Sequence, residues 1–228
     1  MKLYLIRHGQ STHNANLDIP HNPDPPLTEL GQIQAQATAT YLKTQGLKPD
    51  ATYISPQTRA LQTAYPTVSR LGLHPIVLPD ICETGGLREH TGLTRSQIEE
   101  QFPGVIPVPA ITEKGWWHRG LADEEERAFY ARAESMRQYL MDTYLGTGAI
   151  VLLVTHGRFG SALVTTILGL TPAGYSRYPF DNCGITRIDF DPHEEVAYGP
   201  PPADLSVPLA VRLRFHNDVS HIPPELRS

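Results

Sequence analysis

The chain has 228 residues, 40% of them hydrophobic and 19% charged, with a formal net charge of −5. That composition suits one globular domain with a full core. Its acidic balance argues against a general nucleic-acid binder, which needs a clustered basic surface, though it leaves room for a small pocket of positive charge. The longest apolar run, Ala149 to Val154, is far too short to span a membrane, and the apolar start from Met1 to Ile6 meets Arg7 too soon for a secretory leader. Two cysteines, Cys82 and Cys183, make no disulfide framework and are expected as free thiols in a reducing, cytoplasmic compartment.

In chain order, Leu3 to Ile6 is a continuous apolar run, the pattern of a strand covered on both faces, and it leads directly into Arg7-His8-Gly9. Thr28 offers a helix N-cap, with Leu30, Ile33, Ala37 and Tyr41 at helical spacing and Gly46 as the stop. Ala51 to Ile54 is a weaker strand. Ser55-Pro56 reads as N-cap and first-turn proline of a helix that turns Ala60, Leu61, Ala64 and Val68 inward, and Pro66 should kink or shorten it. Proline-rich stretches around Pro20 to Pro26 and Val105 to Pro109 read as structured loops. Trp116-Trp117 fits a core anchor and a pocket wall equally well. Asp123 with Glu124, Glu125 and Glu126 opens a long helix toward Leu145, its acids placed where the helix dipole favours them, so this run is not read as a metal site. Ala149 to Val154 is a further buried strand, running through Thr155 into His156-Gly157, and Arg158 to Leu168 follows as a helix. After the turn-rich Tyr198 to Pro202, Leu209, Val211, Leu213 and Phe215 alternate with polar or small residues, as in a half-buried edge strand. The alternation of strands and helices predicts a three-layer α/β/α sandwich with a largely parallel central sheet.

Three strand ends carry residues that a core does not need. One runs into Arg7-His8, one into His156-Gly157, and one into Ser55 and, a turn later, Arg59. Ligands of open α/β sheets bind beyond the carboxyl ends of the strands, so these segments can share a pocket. Arg7 and Arg59 offer rigid donor forks for phosphate oxygens. A neutral imidazole is a good nucleophile toward phosphorus near pH 7. A leaving oxygen also needs a proton, for which Glu83 and Glu89 are both candidates, either one requiring a raised pKa.

The stretch Leu5-Ile6-Arg7-His8-Gly9-Gln10-Ser11 resembles the signature of the histidine phosphatase superfamily, the phosphoglycerate mutase-like proteins. Leu27-Thr28 with Gly31 and Gln34-Ala35, then Ser55 to Ala60 with Gln62-Thr63-Ala64, then Thr155-His156-Gly157, are similar to that family's later blocks, in family order, and Asn217 to Ile222 is similar to its closing segment. The resemblance implies a phosphoglycerate mutase-like fold as one domain over residues 1–228, with a substrate-specificity insertion around 84–127. It implies His8 as the phosphorylated nucleophile, with Arg7, Arg59 and His156 holding the phosphoryl group, Gly157 beside it and Asn14 in contact with phosphate. For the acid, Glu83 is preferred by its spacing from Arg59 and the Gly-Gly that follows, while Glu89 sits in a Leu-Arg-Glu triplet that members also carry.

Three functions are compatible with that resemblance. A phosphatase for small phosphorylated metabolites is preferred. A cofactor-dependent phosphoglycerate mutase usually carries tryptophan before the asparagine and a Gly-Trp after it, whereas this chain reads His13-Asn14-Ala15-Asn16. A binding protein without turnover would be expected to lack part of the set, and here the nucleophile, both arginines and the second histidine are all present. No metal or other cofactor is expected, because two arginines and two histidines already neutralise a phosphoryl group; a metal site from His8, His13, His21 and His156 has no supporting motif. Nucleic-acid and membrane partners are not expected, and oligomeric state is left open.

Overall fold

The computed structural model of the protein describes residues 1–15, 22–84, 90–117, 121, 123–170, 178–191 and 210–228. Its strands are β1 (Lys2–Arg7), β2 (Ala51–Ile54), β3 (Ile76–Val77), β4 (Ile106–Pro107), β5 (Ile150–Thr155), β6 (Ile185–Asp191) and β7 (Ala210–Asp218). They form one sheet in the order β4-β3-β2-β5-β1-β6-β7. The first five of that order run parallel, and β6 is antiparallel to both β1 and β7. The three apolar runs therefore occupy the centre, β5 lying between β2 and β1. There their alternate residues serve two cores. Leu3 and Leu5 pack with Phe129, Met136, Phe159 and Leu163 on one face, while Ile6, Ile54 and Val154 pack with Leu42, Leu61, Ala64 and Val68 on the other.

Helices α1 (Glu29–Thr44), α2 (Thr58–Leu71) and the short α3 (Arg95–Gln101) contribute to the second core; α4 (Glu126–Tyr144) and α5 (Gly157–Ile167) pack together over the first. The architecture is the three-layer α/β/α sandwich the alternation predicts. Among the described residues, no helix is long and apolar enough to cross a membrane. Trp116 and Trp117 lie buried with Ile98, Phe102 and Ile111, as core anchors.

Local differences have physical causes. Thr28 does cap α1, accepting from the Gly31 amide at 3.0 Å, but the helix buries Gly31, Gln34, Ala35, Thr38, Ala39 and Leu42 and leaves Ile33 44% exposed. The apolar spacing points one position away because the inward face is a clamp on the loop after β1. Gln34 accepts from the Gln10 amide at 2.8 Å, and a Cβ on Gly31 would lie 2.1 Å from the Gln10 carbonyl oxygen. Only a glycine allows that approach. Helix α2 starts at Thr58, not at Ser55-Pro56, and continues past Pro66 to Leu71. Helix α4 starts at Glu126, because Glu124 is drawn into a bidentate pair with Arg132 at 2.6 and 2.9 Å. Strand β7 is an edge strand, although Leu209 and the Tyr198 to Pro202 turn lie outside the described residues. Ile106–Pro107, expected as loop, adds the other edge, a position where proline's missing N–H is tolerated.

Candidate active site

The ends of β1, β2 and β5 come together as the strand-end residues suggest. A cavity of about 330 Å³ opens there, lined among others by Arg7, His8, Asn14, Gln57, Arg59, Glu83 and Gly157. His8 is 4% exposed and is held by its backbone, the His8 amide donating to the Thr155 carbonyl of the neighbouring strand at 2.9 Å. Its side chain has one defined tautomer. Nδ1 is 2.7 Å from the Gly9 carbonyl oxygen, which can only accept, so Nδ1 carries the proton. Nε2 receives a hydrogen bond from Arg59 Nε at 3.2 Å, and a guanidinium can only donate, so Nε2 presents its lone pair. Burial, then the charges of Arg59 and Arg7, push the His8 pKa well below its ordinary value, which keeps the ring neutral.

His156 lies 5.1 Å from His8, ring centre to ring centre, with the rings tilted by 58°. It is fully buried; Nε2 pairs with the Ser55 hydroxyl at 2.7 Å, and Nδ1 has no partner among the described residues. Burial, followed by Arg59 and His8, lowers its pKa well below the usual range. Ser55 thus serves the second histidine instead of capping α2. The cap is supplied from outside the helix: Asp24, in the proline-rich loop, accepts from the Thr58 amide at 3.0 Å and from the Thr58 hydroxyl at 2.6 Å. The same carboxylate lies 3.8 Å from Arg59 Nη1, so one acid both satisfies the helix N-terminus and neutralises the arginine.

Arg7 donates to the Phe180 carbonyl oxygen through Nη1, while its Nε is buried with no partner among the described residues. Gly157 packs on it: a Cβ there would sit 3.4 Å from Arg7 Nε. Glu83 reaches the same cavity from the turn after a short 3-10 segment, Pro79–Ile81. Its Oε1 accepts from the Thr84 amide at 3.2 Å and its Oε2 from the Arg158 amide at 3.0 Å, while its own amide donates to Gln57 Oε1 at 2.9 Å. Burial raises the Glu83 pKa, an effect the two backbone donors only moderate. Glu89, the other candidate acid, lies outside the described residues.

Asn14 lines the cavity, but its Oδ1 accepts from the Ser11 hydroxyl and from Asn182 Nδ2, both at 3.1 Å. Asn182 is buried and also donates to the His8 carbonyl at 3.0 Å, linking the backbone of His8 to Asn14. Asn182, Asp24, Gln57 and Arg132 were not singled out from the sequence. The last two fix the turn that carries Glu83, Gln57 through the Glu83 amide and Arg132 by donating at 2.8 Å to the carbonyls of both Asp80 and Cys82. Among the described residues, no group of three or more His, Cys, Asp or Glu side chains converges as metal ligands would.

A family model for the histidine phosphatase superfamily, branch 1, matches residues 3–198. The chain belongs to the histidine phosphatase superfamily. A Yersinia pestis (strain Pestoides F) protein named "Probable phosphoglycerate mutase GpmB" is 30% identical over 213 residues, covering 87% of this chain and 89% of that one. Among solved structures, a mycobacterial glucosyl-3-phosphoglycerate phosphatase is 26% identical with a TM-score of 0.55, covering 82% of this chain and 89% of that one. A phosphoserine phosphatase from Entamoeba histolytica, solved with phosphoserine, shares the fold at 20% identity and a TM-score of 0.62, covering 97% of this chain and 99% of that one.

Proposed function

We propose that this chain is a phosphatase that hydrolyses small phosphomonoesters through a phosphohistidine on His8. The observation that carries the reading is the tautomer of His8: a neutral, buried ring with Nδ1 tied to a carbonyl and an unprotonated Nε2 at the cavity, whose lone pair is held by Arg59 until a phosphoryl group draws that guanidinium to its own oxygens. Arg7 Nε, a buried donor, and His156 Nδ1, a buried ring nitrogen, have no partner among the described residues, which supports a phosphoryl group bound beside that lone pair. In the first half-reaction Nε2 attacks phosphorus, the P–N bond forms as the ester P–O bond breaks, and the Glu83 carboxyl gives its proton to the departing oxygen. In the second, water attacks phosphorus and yields its proton to the Glu83 carboxylate; the P–N bond breaks, its electron pair returns to Nε2, and phosphate leaves. Arg7, Arg59 and His156 stabilise the charge on the transferred oxygens in both halves. Asn14 and Gly157 complete the phosphate's surroundings.

Specificity falls to the loops around Ala15 to Pro26 and to the segment 84–127, read as an insertion in a single domain over 1–228. The relatives named as phosphatases favour hydrolysis. The name of the Yersinia protein keeps a phosphoglycerate mutase as the second reading. A substrate panel on wild type and His8→Ala tests the first reading, which predicts phosphate release that the variant loses. Isomerisation of 3-phosphoglycerate in the presence of its bisphosphate, with little net phosphate released, would establish the second instead. A cytoplasmic setting fits the two buried, unpaired thiols.

A further inference from the structure

The turn from Asp181 to Gly184 packs against the end of β1. Its backbone is fixed without the Asn182 side chain: the Cys183 amide donates to the Arg7 carbonyl at 3.1 Å, the Gly184 amide to the Asp181 carbonyl at 2.9 Å, and the Asp181 amide to Asn217 Oδ1 at 2.7 Å. The Asn182 side chain is 3% exposed and does not line the cavity. Each of its polar atoms nevertheless has a defined partner. One Nδ2 hydrogen goes to the His8 carbonyl at 3.0 Å and the other to Asn14 Oδ1 at 3.1 Å, while Oδ1 accepts from the Ser228 hydroxyl at 3.3 Å. A carbonyl can only accept, so His8 sets which way this amide faces.

Asn14 is oriented in turn. Its Oδ1 accepts from the Ser11 amide at 3.3 Å, and from the Ser11 hydroxyl and Asn182, both at 3.1 Å. A backbone N–H can only donate, so the Asn14 atom facing Ser11 is the oxygen. Three donors saturate that oxygen, and Nδ2 with its two hydrogens is the part left for the cavity that Asn14 lines. The donors from Ser11 are local; the one from Asn182 ties Asn14 to His8 across the fold. We infer that Asn182 is a positioning residue for phosphoryl binding. One amide holds the His8 backbone and the Asn14 oxygen together, so that Asn14 turns N–H donors, and not its own oxygen, toward a phosphoryl group at His8. Donors fixed in advance need no reorganisation when the anion arrives. This inference rests on the phosphoryl-transfer reading above.

Calorimetric binding of inorganic phosphate to the four proteins of a double-mutant cycle tests it. Asn14→Ala and Asn182→Ala should each weaken binding about tenfold, the worth of one charge-assisted hydrogen bond, and the double variant should be no weaker than Asn14→Ala alone. Losses that add, as a role confined to folding would give, overturn the inference, and so does an affinity of Asn182→Ala equal to wild type. Asn182→Asp is the second variant: it keeps the shape and the acceptor for Ser228 but brings no donor to Asn14. In wild type the side-chain amide NMR signals of Asn14, assigned by their absence in Asn14→Ala, should shift as phosphate is added, and in Asn182→Asp that shift should be lost. A shift of equal size in the variant overturns the inference. Turnover tests the phosphatase reading separately. Hydrolysis lost in His8→Ala together with additive binding losses leaves that reading standing and the inference overturned, whereas coupled losses with turnover indifferent to His8 do the reverse. Failure of wild type to bind phosphate overturns both.

Discussion

Replacing Glu83 by glutamine removes one proton and leaves the shape of the side chain almost unchanged. Glu83 accepts two backbone hydrogen bonds, from Thr84 at 3.2 Å and Arg158 at 3.0 Å, one on each oxygen. An amide can accept at only one of those positions and turns its NH2 toward the other donor, leaving a buried N–H unsatisfied at a cost of about 1–3 kcal/mol. Against this, the wild-type carboxyl has its pKa raised by burial, so its favourable contribution to folding is full below the ordinary carboxylate range and is lost as pH rises through the raised value. Thermal unfolding should therefore show Glu83→Gln less stable than wild type at acidic pH, with the gap narrowing or reversing as pH climbs. The effect on activity is larger. A positioned general acid contributes roughly 10²–10⁴-fold, about 3 to 5 kcal/mol of barrier. Glu83→Gln should lose that factor on an alkyl phosphate such as glycerol 3-phosphate and much less on p-nitrophenyl phosphate, whose leaving group needs little protonation. The wild-type rate on the alkyl ester should fall as pH rises through the raised Glu83 pKa, and that limb should be missing in the variant. Equal losses on the two esters, or a leaving-group dependence that appears in Glu89→Gln instead, would refute the assignment.

Other side chains give sharp expectations. Asp24→Ala removes the cap of α2 and the carboxylate beside Arg59; it should cost about 1–3 kcal/mol in urea unfolding and raise KM for every phosphoester. Gly9→Ala places a Cβ 2.7 Å from the Gly31 carbonyl oxygen, a backbone atom that cannot easily yield, so a loss of about 1–3 kcal/mol in the same assay is expected, with reduced kcat from the displaced neighbour of His8. Arg132→Met strands the buried Glu124 carboxylate and should cost about 3–5 kcal/mol; an unfolding midpoint equal to wild type would contradict the role given to that pair.

The sheet's centre was readable because continuous apolar runs reveal strands buried on both faces, and because Arg7, His8 and His156 follow those runs immediately. Strand β6 was not readable: Thr186, Arg187 and Asp189 interrupt its apolar residues, and Asp189 is tied to Arg187 and Arg214 across the sheet edge. The inward face of α1 was misplaced because Gln34 and Thr38 are buried for their hydrogen bonds and not for hydrophobicity. Asp24 caps a helix 34 residues further along, and Asn182 bonds a carbonyl 174 residues away. Neither link leaves a periodic signal, since each depends on where the folded chain brings distant segments. The residues that would touch phosphate were legible from local pattern; those that orient them were not.

Rapid-quench trapping of the reaction, followed by peptide mapping, bears most directly on the central claim. With a ³²P-labelled phosphoester, wild type should carry transient label that is stable to base and labile to acid, on the peptide containing His8, and His8→Ala should carry none and turn over poorly. Label on a different residue, or undiminished turnover in His8→Ala, would contradict the mechanism.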